Sequence, residues 1–271
     1  MSAVTVPKLV FRGGVTLPRV IRSEWTKFWT VRSTYWTLFV AAILTIGFPL
    51  LAATVISSHW GQRSPGDRAH FNPLDPALVG SQIAQLAFGV LGVLIISSEY
   101  STGMIRATLT AVPKRLPVLW AKTIVFGSVA LAFALPAVLI AFFATQSILT
   151  RHHASFSWHH PGVARAVIGA ALYLVVTAVM SLGIGTILRN TAAGISTFAA
   201  IFFVLPPLMD VLPTSWNNAI SPYLPSNAGR AIIQLHGGSG SLRPWPGFLL
   251  FVGYAVVALV AGAFVLKRRD A

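Results

Sequence analysis

Long apolar runs separated by short polar connections dominate this chain. They read Tyr35 to Ser57, Ala77 to Ser97, Val118 to Gln146, Val163 to Leu188, Thr191 to Leu212 and Gly247 to Leu266. Each approaches or exceeds the roughly 20 residues that an α-helix needs to cross the hydrocarbon core of a bilayer. The pattern predicts an all-α membrane protein with six transmembrane helices over residues 35–266, an N-terminal segment 1–34 and a short tail 267–271. An even number of spans puts both termini on one side. The first run follows a basic segment, and no small-residue cleavage site comes after it, so it reads as a retained span and not as a signal peptide.

Three polar stretches carry a pattern of their own. From Leu17 to Arg32, the residues Leu17, Ile21, Trp25, Phe28 and Trp29 recur at helical spacing with Arg22, Thr26 and Lys27 on other faces, and Thr16 and Pro18 supply start signals. That predicts an amphipathic helix lying in the membrane interface, with a simple basic topology anchor as the alternative. The island from Ser98 to Arg115 predicts a short cytoplasmic helix. Glu99 marks the exit of the second span, Gly103 permits a turn or close approach, and Arg106 follows Glu99 by two helical turns on the same face. Pro113 stops the helix, and Lys114 with Arg115 anchors the return at the headgroups. Between the last two spans, Ser226 is placed to cap a helix over Ala228 to Leu235 that Gly237 and Gly238 end, forming a short, partly embedded outer lid, with a plain surface loop as the alternative. Trp216, Tyr223 and Trp245 suit a headgroup-level position.

Composition sharpens this picture. Of 271 residues 55% are hydrophobic and only 10% charged, so the bilayer is the main solvent. Twenty basic against six acidic residues give a net charge of +14, which in a soluble chain suggests nucleic acid. Here the charges cluster between apolar runs, and lipid headgroups with topology account for them. Fourteen of the twenty lie before the first run, around the second connection, at Arg189 or after the last run. The positive-inside bias therefore puts both termini and the Glu99 to Pro117 loop in the cytoplasm, and all seven histidines outside.

Material for catalysis is scarce. Cysteine is absent, the only glutamates are Glu24 and Glu99, and no phosphate loop, nucleophile elbow or zinc-protease motif occurs. The chain is thus not expected to be an enzyme. His152, His153, His159 and His160 offer imidazoles for a metal, but no carboxylate or cysteine adjoins them, so an interfacial, partly solvated cluster is the alternative. Within the spans, Gln82 and Gln85 share a face with Gly89 and Gly92, and Tyr173, Thr177 and Ser181 form a stripe with Gly169 and Gly185. Either stripe is a candidate pathway lining or a helix-packing face. Pro49, Pro136, Pro206 and Pro207 are candidate kinks. Lys122 and Asp210, near span ends, are explained by snorkelling.

The segments Ser23-Glu24-Trp25-Thr26-Lys27 with Val31-Arg32-Ser33-Thr34-Tyr35-Trp36, Ser98-Glu99-Tyr100 through Pro113-Lys114-Arg115 to Lys122, and Leu224-Pro225-Ser226-Asn227 resemble the type-2 export permeases of ABC transporters. With six runs in the same order, the resemblance spans nearly the whole chain. It implies that Glu24, Lys27, Glu99, Tyr100, Gly103, Arg106, Pro113, Lys114 and Arg115 form a surface coupled to a separate ATPase subunit. It also implies a second permease copy or a homologous permease, ATP and Mg bound by the partner and not by this chain, and a bacterial plasma membrane location. The expected substrate is an amphiphile such as a drug, lipid or small peptide, because the chain offers no large soluble binding domain and lateral access from lipid is open. A membrane regulator without transport activity and an ion-coupled secondary transporter are the alternatives, the latter lacking its expected inverted repeats and midplane carboxylates.

Overall fold

The computed structural model describes residues 16–112, 114–235 and 241–268, and among these there is no strand. Among the described residues six helices are long and apolar enough to cross a membrane: Arg32–Ser58, Leu74–Ser101, Leu116–His152, Val163–Leu188, Thr191–Met209 and Pro244–Arg268, here spans one to six. Their backbone groups bond within each helix, as a medium without water requires. Most extend beyond their apolar runs, because the polar turns at Leu74–Pro76 and Ser98–Ser101 continue the helix once it has begun. Span four coincides with its run, and span five falls short of it, ending at Met209.

Span four is the centre of the bundle. Spans two, three and six pack around it, and 72% of its apolar window is buried, against 22% for span one and 17% for span five. Close approach of spans two and four depends on Gly92. A Cβ there would lie 2.1 Å from Ser181 Oγ and 2.4 Å from the Ala178 carbonyl oxygen. Phe88, Leu91, Tyr173, Leu174 and Leu182 fill the same seam.

Spans one and five each contain a π-helical turn, at Ile43–Gly47 and Ala200–Val204. A proline has no N–H to give and its ring crowds the carbonyl four residues earlier. For Pro49 that residue is Thr45, and for Pro206 it is Phe202; both lie in the wider turns, which relieve the crowding. Pro136 sits inside span three with no such interruption.

The helix Leu17–Thr30 precedes span one and breaks at Val31. Its buried face is Val20, Glu24 and Phe28, whereas Leu17 and Trp25 are exposed. The expected face centred on Leu17, Ile21 and Trp25 is thus rotated, because an acidic residue that finds buried partners turns inward. On the connection from span two to span three, the helix stops at Ser101, turns at Gly103 with φ +72°, and restarts as Met104–Ala111. This end of the bundle is called the lower end below. At the upper end, Thr214–Ile220 and Pro225–Arg230 are short helices, followed by a 3-10 turn Ala231–Ile233. Ser226 is inside the second of these and does not cap it, since Pro225 starts the helix at its first position. Ala228, Ala231 and Ile232 are buried, with Ile232 lying over Gly169 of span four. Gly237 and Gly238 fall outside the described residues.

Candidate functional site

Four charged side chains close a ring at the lower end. Lys122, in the second turn of span three, donates to Glu24 Oε2 at 2.6 Å and to Glu99 Oε1 at 2.8 Å. Lys27 donates to Glu24 Oε1 at 2.8 Å and to Glu99 Oε1 at 3.2 Å, and also to Thr108 Oγ1 at 3.0 Å. Each lysine therefore bridges both glutamates. Glu24, Glu99 and Lys122 are 4%, 2% and 3% exposed, whereas Lys27 is half-buried and forms the ring's solvent-facing edge.

The local structure brings these groups together from three directions. Glu24 and Lys27 are one turn apart on the amphipathic helix. Glu99 closes span two, and Thr108 belongs to the Met104–Ala111 helix that the Gly103 turn folds back. Desolvating an ion costs several kcal/mol, and alternating signs with short hydrogen bonds are what offset that cost. Burial pulls the Lys27 ammonium toward neutrality, but the hydrogen bonds and charges of Glu24 and Glu99 outweigh it and hold its pKa above the ordinary lysine value. The second carboxylate oxygen, Glu99 Oε2, is buried and accepts no hydrogen bond from the described residues.

Two expectations are corrected here. Lys122 does not snorkel; it is buried and is the central counter-ion of both glutamates. Arg106 does not share a face with Glu99, because the helix breaks between them at Gly103, leaving Arg106 exposed while Glu99 is buried. The sequence signal for Lys122 was present. A lone lysine in an apolar span of a chain with only two glutamates has few places to find a counter-charge.

The other members of the predicted surface divide. Gly103, Arg106 and Lys114 are exposed on the lower end, beside the exposed Met104, Ala107 and Thr110. Pro113 lies outside the described residues. Arg115 Nη1 donates to the Leu266 carbonyl in the last turn of span six. Arg189 Nη2 donates to the neighbouring Val265 carbonyl, and its guanidinium lies 5.1 Å from the Tyr100 ring centroid. Two cations thus cap the carbonyl end of span six, where a helix dipole favours positive charge. They tie spans two, three, four and six together beside the ring.

Higher in the bundle, Gln85 accepts from the Tyr173 hydroxyl, both being buried. Thr177 bonds back to the Tyr173 carbonyl and Ser181 to that of Ala178. The packing account therefore describes the contacts of Gln85, Tyr173, Thr177 and Ser181. Gln82 differs: it is half-buried and borders a cavity of about 890 Å³ at the upper end. Asp210 also faces that cavity, accepting from Asn217 Nδ2 at 3.3 Å.

The histidines do not converge. His152 stacks on Trp60 and bonds Ser57 Oγ at 2.8 Å, while His160 stacks on Phe156. Among the described residues no three metal-ligating side chains come together. No protein-family model matches this chain, and no curated protein matches it.

Proposed function

We propose that this chain is the membrane permease subunit of an ATP-driven exporter, with the lower end in the cytoplasm of a bacterial cell and both termini there. The observation that carries the reading is the buried ring. It fastens the amphipathic helix, the end of span two and the start of span three to one another, and Lys27 holds Thr108 of the Met104–Ala111 helix to the same knot. A force applied by a partner to the exposed Arg106 face would reach two spans through charge-assisted bonds and not through a slack loop. The positive-inside bias and the resemblance to type-2 export permeases support the same assignment.

In this reading ATP and Mg are bound by a separate ATPase subunit, and a second permease copy or homologous permease completes the transmembrane unit. The largely exposed apolar faces of spans one and five are available to lipid or to that second copy. The substrate class is an amphiphile such as a drug, lipid or small peptide.

The test is co-expression with a candidate ATPase and reconstitution in vesicles. Arg106→Glu, on the exposed face, should uncouple hydrolysis from transport or abolish ATPase association without changing the melting temperature. Unchanged ATP-driven transport by this variant at equal expression would remove the coupling role from the loop.

A further inference from the structure

We infer that the upper cavity is a binding site for a short zwitterionic peptide of about three residues. Its volume of about 890 Å³ falls in the range of sites that enclose drug-sized ligands. Its lining is unusual for this chain, because two of only six acidic residues, Asp75 and Asp210, border one space. Asp75 meets Asn72 Nδ2 at 2.8 Å and Asp210 meets Asn217 Nδ2, so each carboxylate has a neutral partner and no ion pair among the described residues.

The opposite charge sits deeper. Arg230 is half-buried, and its guanidinium donates to three neutral acceptors: Gln82 Oε1 at 3.3 Å, Asn227 Oδ1 and the Ser226 carbonyl at 3.3 Å. It too has no ion pair among the described residues. N–H groups remain on its Nη atoms for an anion. A partly desolvated cation without a counter-ion below, and carboxylates without cations above, are complemented by a ligand with its anion inward and its ammonium outward.

Geometry sets the length. Asp75 and Gln82 are seven residues apart on span two, hence on one face, and a rise of 1.5 Å per residue separates them by about 10 Å along the axis. An extended tripeptide spans about 10 Å from end to end. The phosphate and amine of an ethanolamine headgroup lie closer together than this, and so do the termini of a free amino acid. The side-chain amides of Asn72, Gln82, Asn217 and Asn227 both donate and accept, as peptide groups between the two charges require. As a substrate site this cavity rests on the transport reading; as a binding site it stands on its own geometry.

The test is calorimetric titration of the purified full-length chain in phosphatidylcholine nanodiscs, without any ATPase. The probes are tri-alanine, its N-acetyl form, its C-terminal amide, and alanine. Tri-alanine should bind, and blocking either terminus should weaken binding by about tenfold or more, since each removes a charge-assisted contact. Asp75→Asn with Asp210→Asn should weaken tri-alanine similarly and leave the acetylated peptide unaffected. Equal affinity for all four probes, or no saturable binding of tri-alanine in the millimolar range, overturns the proposal. Competition by added phosphatidylethanolamine at the same site overturns it in favour of a lipid headgroup. ATP-driven transport of another solute without tri-alanine binding would sink this site alone, whereas binding with no ATP-driven transport would sink only the transport reading.

Discussion

At the residue scale, the lower ring behaves as a unit because each charge has two opposite neighbours. Replacing Lys122 by Met leaves two buried carboxylates sharing Lys27, and removing one partner from a buried pair costs about 3–5 kcal/mol. Lys122→Met should therefore melt far below the parent in a detergent thermal denaturation assay. Adding Glu24→Gln to it restores charge balance by leaving Glu99 with Lys27, so the double variant should be more stable than the single one. If the two losses add, the ring is not a coupled network. The pH dependence follows from Lys27, whose pKa in the fold is raised above its ordinary 10.5. Its stabilisation is fully present below that ordinary value and is lost as pH rises through the raised one. Melting temperature should fall along an alkaline limb above pH 10.5 that is absent in Lys27→Met, whereas near neutrality the Lys27 contribution is constant and adds no pH dependence.

At the element scale, glycine substitutions separate contact from conformation. A Cβ at Gly92 meets backbone as well as Ser181 Oγ, so Gly92→Ala must push spans two and four apart, at a cost of about 1–3 kcal/mol. Gly103→Ala meets nothing within 4 Å but must hold φ +72°, a strain of about 1–2 kcal/mol. Gly61→Ala has neither problem, and its melting temperature should match the parent. Parallel melts of the three variants check this order; a neutral Gly92→Ala would mean that the seam is loosely packed. The same elements show what the sequence could disclose. Hydropathy alone placed six spans, because lipid forces each helix to be continuous and apolar. It misjudged the face of Leu17–Thr30, since periodicity scores Glu24 as polar and cannot foresee that Lys122, ninety-eight residues away, makes its burial favourable. Glu24 and Glu99 stood out as the only two glutamates of the chain. The break that separates Arg106 from Glu99 rested on one glycine whose sign of φ is a tertiary outcome. The pairing of Gln85 with Tyr173, and of Arg115 and Arg189 with span six, depended on helix order around span four, about which periodicity is silent.

At the scale of the whole molecule, sidedness decides what each site can do. The lower end gathers the ring, the exposed Met104–Ala111 helix, Lys114, Arg115, Arg189 and the Lys267–Arg268 turn, while the upper end carries the described histidines and the polar cavity. The proposed cytoplasmic orientation of the lower end accounts for this distribution, since a leaflet rich in anionic lipid attracts basic residues and translocation of short basic loops is disfavoured. The chain has no cysteine, so a single introduced thiol reports its own position. Gly61→Cys, in open space at the upper end, and Ser157→Cys, exposed in the connection from span three to span four, should react with an impermeant maleimide in intact cells. Ser101→Cys, exposed where span two ends, should react only after the membrane is permeabilised. The opposite labelling would put the Arg106 face outside, beyond the reach of any cytoplasmic ATPase, and would turn the peptide cavity into an inward-facing site. Labelling at all three positions before permeabilisation would contradict the six-span arrangement itself, because Gly61 and Ser101 are separated by one membrane-crossing helix.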